Sequence, residues 1–314
     1  MSVAAPAVVP LAGLPDRVVV HDVGPRDGLQ NEAVSIPTEV KAELVRRLFE
    51  AGLSSVEVTS FVRPEWVPQL GDAEALVALL PKADLERSTV LVPNRRGVER
   101  ALACGIRHVA VFASATESFS SRNLNRSIEE SMAMFAPVIG EANAAGATVR
   151  GYVSMCFGDP WEGPVDPSAV VAVGYRLLDM GCTQLSLGDT IGVATPGQVV
   201  AVLAALSEAG VASDRVAVHF HDTYGQALAN TLVALQHGVT TVDASAGGLG
   251  GCPYAESATG NLATEDLLWQ LTGLGVDTGV DLDRLVATSR WLAGHLGRPS
   301  PSRVVAAHPT RGEQ

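Results

Sequence analysis

"RVVVHDVGPRDGLQNEAVSIPTEVKAELVRRLFEAGLSSVEVTSF", residues 17–61, holds the unit from which the rest of the chain is built. "RVVVHDV" (17–23) is a β-branched run and reads as a buried strand. "PTEVKAELVRRLFEAG" (37–52) spaces its apolar residues three to four apart, opens on proline and closes on glycine, which reads as an amphipathic helix. "SSVEVTSF" (54–61) is the next strand. A strand, a crossover helix and a second strand make parallel pairing the expected geometry.

The unit recurs. Further strands are expected at 87–93, 108–114, 148–155, 183–189, 215–222 and 240–247, and further helices include 127–146, 196–210 and 264–275. Eight such strands predict a closed (β/α)8 TIM barrel, a fold of about 250 residues. An open doubly wound sheet is the competing topology, but no G-x-G-x-x-G follows the first strand. The expected organisation is a loose N-terminal extension over 1–16, a catalytic barrel over 17–280, and a short C-terminal extension, a helix and tail, over 281–314.

Composition narrows the function. Of 314 residues, 47% are hydrophobic and 18% charged, enough to bury a large core. The 22 basic residues stand against 34 acidic ones, and no basic run appears, so no nucleic-acid surface is expected. The longest apolar run, "VVAVLAAL" (199–206), falls well short of the roughly 18–20 residues that span a bilayer, so no membrane association is expected. "MSVAAPAVVPLAGLP" has no basic residue before Arg17 and lacks the charged start of a secretory signal. Cys104, Cys156, Cys182 and Cys252 are scattered, which suits free thiols in a reducing, cytoplasmic setting.

Barrel enzymes place their chemistry at the C-terminal ends of the strands. In this chain those ends carry Asp22, Arg26 and Asp27, then Glu57, Asn94, Ser114, Ser154, Asp189 with Thr190, and His219 with His221. In "VAVHFHDTYG" the two histidines are two residues apart, so both face the barrel mouth while Phe220 faces the helices. Paired inward imidazoles suggest metal ligands. Asp27 and Asn261 can reach the same mouth because the first and eighth strands become neighbours on closure. A His219, His221, Asp27 and Asn261 set leaves two octahedral positions for substrate and suits a divalent metal, Mg²⁺ or Mn²⁺, with the nitrogens favouring Mn²⁺. Arg26 then serves as an oxyanion stabiliser, or as an ion-pair partner of Asp22 or Glu57, or both. Glu57 and Asp189 are expected to orient Arg26 or the ligands. "GGLGGCPY" (247–254) reads as a glycine-rich lid carrying Cys252, either a general acid or base or simply a small lid residue.

Seven stretches together resemble the hydroxymethylglutaryl-CoA lyase family, within the metal-dependent barrel lyases, aldolases and Claisen-type synthases. They are "VGPRDGLQNE" (23–32), "TSFVRPEWVPQLGD" (59–72), "NRSIEES" (125–131), "SLGDTIGV" (186–193), "VHFHDTYGQALANTL" (218–232), "GLGGCPYA" (248–255) and "GNLATEDL" (260–267). The resemblance implies cleavage of (S)-3-hydroxy-3-methylglutaryl-CoA to acetyl-CoA and acetoacetate, or of a related 3-hydroxy-3-alkylglutaryl-CoA, with a Claisen-type synthase as the more distant alternative. It also implies an acyl-CoA thioester partner, a homo-oligomer (dimer or tetramer), metal ligation by Asp27, His219, His221 and Asn261, and catalytic roles for Arg26 and Cys252 supported by Glu57 and Asp189. Three positions depart from the family pattern: Asp22 where Glu is usual, "GDPWEG" (158–163) for "GCPYEG", and Glu256–Ser257 after "CPYA".

Overall fold

The computed structural model describes residues 5–251 and 260–309. Eight strands close into a barrel in chain order: β1 (Val19–Asp22), β2 (Ser55–Ser60), β3 (Ser88–Leu91), β4 (His108–Ser114), β5 (Thr148–Ser154), β6 (Gln184–Asp189), β7 (Val216–Phe220) and β8 (Thr241–Ala244). All neighbours are parallel, and β8 returns to β1 with Val19 opposite Thr241 and His21 opposite Asp243. The expected TIM barrel is the observed fold.

The period of two in each strand sorts its side chains between two environments. On β2, Val56 and Val58 are buried in the core against the helix layer, whereas Glu57 turns to the barrel interior and meets Arg26. The helix Thr38–Glu50 buries Leu44, Val45, Leu48 and Phe49 in that core. Helix Ile128–Ala144 is started by a reciprocal cap, Ser127 accepting from Glu130 N and Glu130 accepting from Ser127 N, which satisfies two otherwise orphaned donors.

Two segments differ from the expectation. The N-terminal stretch is not loose throughout: Val9 N donates to Gly273 O at 2.8 Å and Asp277 N donates to Asp16 O at 3.0 Å, so it is tied to the turn after helix Thr264–Gly273. Backbone donors and acceptors, rather than apolar patterning, make that attachment, and such bonds leave no periodic signal. The C-terminal extension carries two helices instead of one, Leu282–Leu296 and Arg303–Ala307. The short second helix is held by Ser302, whose Oγ accepts from Val305 N and donates to Asp266. Among the described residues, no helix is long and apolar enough to cross a membrane.

Candidate active site

The residues after β1 build the site through an unusual turn. Gly24–Gly28 form one π-helical turn in which the N–H groups of Arg26, Asp27 and Gly28 all converge on Val23 O. Such turns occur often at functional sites, and here it sets Arg26 and Asp27 side by side at the strand's end. Gly24 and Gly28 are required by close approach: a Cβ on Gly24 would press on Asp22 Oδ1, and one on Gly28 on Leu249 and Ser245.

Arg26 is 7% exposed and is clamped twice, its Nε donating to Glu57 Oε2 at 2.5 Å and its Nη1 to Asp27 Oδ1 at 2.6 Å. The pairing register of β2 and β3 shifts between Glu57 and Thr59, an irregularity of the kind that re-aims side chains beside active sites. Burial by itself lowers the pKa of an arginine, but Glu57 and Asp27 more than reverse that and hold the guanidinium charged. Burial likewise pushes Glu57 above the usual carboxylate range, with Arg26 opposing it, while Asp27 stays below that range because Arg26 and the nearby histidines outweigh its desolvation. Of the two partners anticipated for Arg26, the structure selects Glu57. Asp22 instead accepts from Gly24 N and from Thr264 Oγ1.

Opposite this pair, His219 is the penultimate residue of β7 and His221 lies one residue past its end, bridging to Asn261. The two Nε2 atoms face each other at 3.4 Å. Ligand atoms of Asp27, His219 and His221 all lie within 4.8 Å of one another. Asn261 Nδ2 donates to Asp27 Oδ2 at 2.8 Å and to Leu249 O at 3.0 Å, which leaves Asn261 Oδ1 buried with no hydrogen-bond partner among the described residues. An orphaned buried acceptor beside a carboxylate and two imidazoles fits a divalent cation, since a cation satisfies an acceptor without supplying a proton.

Asp189 lies at the end of β6, but its carboxylate accepts from Val193 N and Ala194 N and shapes its own loop, rather than bonding Arg26 as one expectation had it. A short carboxylate facing backbone donors in the next turn satisfies those first; burial pushes its pKa up to about 7. Cys252 lies outside the described residues, as do Glu256 and Ser257. The stem leading to Cys252 is not free, however. Gly247, Gly248 and Gly250 all have positive φ, and Gly250 packs so closely on Asn261 that a Cβ would collide with its Nδ2. Gly247, Gly248 and Gly250 thus combine left-handed backbone, which glycine adopts without a Cβ penalty, with close contacts to Ser300, Ala263 and Asn261.

Three polar residues of this region escaped the sequence reading. Arg150 and Tyr152 on β5 and Asp243 on β8 all point into the barrel. Arg150 Nη2 pairs with Asp243 Oδ1 at 2.5 Å, and Tyr152 stands between the guanidinium carbons of Arg26 and Arg150, 5.6 and 5.2 Å from its ring centre. Burial, with Glu57 nearby, raises the Tyr152 pKa far above the phenol range and keeps the hydroxyl protonated. A charge in the middle of an apolar strand was the available signal, because a buried charge needs a partner.

Above these groups opens a cleft of about 1330 Å³, with Arg26, Asp27, His219 and His221 at its base and Trp66 and Asn123 farther along its wall. Its volume exceeds the about 300–1,000 Å³ usual for small-molecule pockets and suits a long ligand.

Residues 17–292 match the HMGL-like family. This chain belongs to that family. Among HMGL-like relatives, the hydroxymethylglutaryl-CoA lyase of Arabidopsis thaliana, named as mitochondrial, is 53% identical over 94% of this chain, which spans 63% of that relative's length. The mitochondrial hydroxymethylglutaryl-CoA lyase of Rattus norvegicus is 50% identical, covering 98% of this chain and 94% of its own. The crystal structure of hydroxymethylglutaryl-CoA lyase from Pseudomonas aeruginosa superposes with a TM-score of 0.90 at 45% identity, over 94% of this chain and 98% of that one.

Proposed function

We propose that this HMGL-like chain is a carbon–carbon lyase that cleaves 3-hydroxy-3-methylglutaryl-CoA to acetyl-CoA and acetoacetate. The observation that carries the reading is the convergence of Asp27, His219, His221 and Asn261 beside a doubly clamped Arg26 at the base of a long cleft, in a chain half identical to lyases of that name. Cleavage removes the proton of the tertiary hydroxyl, breaks the C2–C3 bond and sends its electron pair into the thioester, and the resulting enolate takes a proton to become acetyl-CoA. A divalent cation, Mn²⁺ or Mg²⁺, held by Asp27, His219, His221 and Asn261 would supply Lewis acidity that lowers the hydroxyl pKa. Arg26 places a fixed positive charge where the enolate oxygen develops, and its two carboxylate partners spare it reorganisation during the reaction. The cleft walls take up the acyl-CoA and restrict water around the base. Cys252, which follows Gly251 in the sequence, is the proposed proton donor to the enolate. A homo-oligomeric assembly and a cytoplasmic setting belong to the same reading, the latter resting on the free thiols Cys104, Cys156 and Cys182.

The test is a panel of 3-hydroxyacyl-CoA thioesters with product identification, on protein stripped by chelator and then supplied with Mn²⁺ or Mg²⁺. Release of acetyl-CoA and acetoacetate only after metal addition is the expected result. Full turnover by metal-free protein, or turnover of other thioesters alone, refutes it.

A further inference from the structure

The barrel interior at the level just below the histidines is built from charge instead of the branched aliphatic layers usual in this architecture. Asp243 is its centre and is 1% exposed. Three strands deliver partners to its carboxylate: Arg150 from β5 at 2.5 Å, Ser186 Oγ from β6 at 2.8 Å, and His219 Nδ1 from β7 at 3.3 Å. The register makes this possible, because His219 and Asp243 are direct partners across β7 and β8. Arg150 donates to Asp243 Oδ1, while Oδ2 takes both the Ser186 hydroxyl and His219 Nδ1, so two groups that can only donate here fix the carboxylate's position and its Oδ2 faces the imidazole.

We propose that Asp243 is a positioning residue for the metal centre, acting through His219. A carboxylate accepting at Nδ1 requires the proton of the neutral imidazole to sit there, which leaves the Nε2 lone pair facing His221 Nε2 in the cluster that Asp27 completes. The other tautomer would place a proton at Nε2 and close that nitrogen to a cation. The Tyr152 ring meets His219 edge-on, with 6.1 Å between ring centres, and limits its rotation from a second side. The inference rests on the reading of Asp27, His219, His221 and Asn261 as metal donors; Asp243 itself touches neither substrate nor metal.

The experiment is direct Mn²⁺ binding by calorimetry to wild-type and Asp243→Asn protein, together with ¹⁵N-histidine spectra of the metal-free wild type. Loss of an outer-shell partner of a metal-bound histidine typically weakens affinity about 10–100-fold, and that loss is expected for Asp243→Asn. The spectra should show His219 protonated at Nδ1, a readout that needs no variant and survives a failure of Asp243→Asn to fold. Equal Mn²⁺ affinity in the two proteins, or a wild-type His219 protonated at Nε2, overturns the inference while leaving the metal site standing. A wild-type protein that binds no Mn²⁺ overturns both.

Discussion

Replacing Arg26 with methionine separates its chemistry from its structural role. Methionine keeps most of the length of the stem but none of the charge, so the oxyanion loses a donor. Removal of one such donor typically costs about 10²–10³ in kcat, or about 3–4 kcal/mol of transition-state stabilisation. The same substitution leaves Glu57, fully buried, without its principal counter-charge. Breaking a buried pair on one side costs about 3–5 kcal/mol unless the survivor is neutralised. Burial already holds Glu57 above the usual carboxylate range with Arg26 opposing, so in the variant its pKa rises further and the folded protein keeps a proton there. An acid whose folded pKa exceeds its unfolded one stabilises fully below the unfolded value and loses that contribution as pH rises, at about 1.4 kcal/mol per unit. The deficit of Arg26→Met in urea unfolding should therefore be small near pH 5 and grow toward pH 8, while metal content stays normal. Arg26→Lys restores charge but not the two-pronged clamp, and should recover stability at pH 8 more than turnover. A kcat within tenfold of wild type, or loss of metal in step with activity, refutes this assignment.

Gly250→Ala should weaken Mn²⁺ affinity at least about tenfold, because the backbone there has a φ of 125° and the new methyl group strikes the Asn261 amide; calorimetry checks it, and Gly140→Ala, in open space within a helix, is the neutral control. Glu265 lies under the glycine stem, accepting from Gly247 N and Ser289 Oγ, and burial pushes its carboxyl up to about 8. Its folded pKa is above the unfolded value near 4.5, so its contribution is present below that and is lost as pH rises to about 8. Glu265→Gln should flatten that decline by up to several kcal/mol in unfolding curves from pH 5 to 8.5, and parallel curves for the two proteins refute the reasoning.

Much of the site was legible because parity on a strand is local. "VHFHD" puts both histidines on one face whatever surrounds them, and "GPRDG" announces charged side chains at a strand end. Asp243 and Arg150 were missed for the opposite reason: each is a lone charge in an apolar run, and its meaning depends on a partner 93 residues away. Asp189 shows a further limit, since its place at a strand end was correctly read while the nearest donors proved to be its own loop's backbone.

The amino-acid sequence by itself determined the eightfold alternation, the barrel, and the identity of the residues at its mouth, because hydrophobic period and turn chemistry are properties of neighbouring residues. Only the tertiary structure decided how those residues pair. Closure of β8 onto β1 brings Asn261 to Asp27, the packing of β2 beside the turn after β1 brings Glu57 to Arg26, and the register of β7 with β8 sets Asp243 behind His219. Hydrogen bonds and ion pairs reach only about 3 Å, so choosing among possible partners requires the positions of strands far apart in the chain, and those positions exist only once the core has packed.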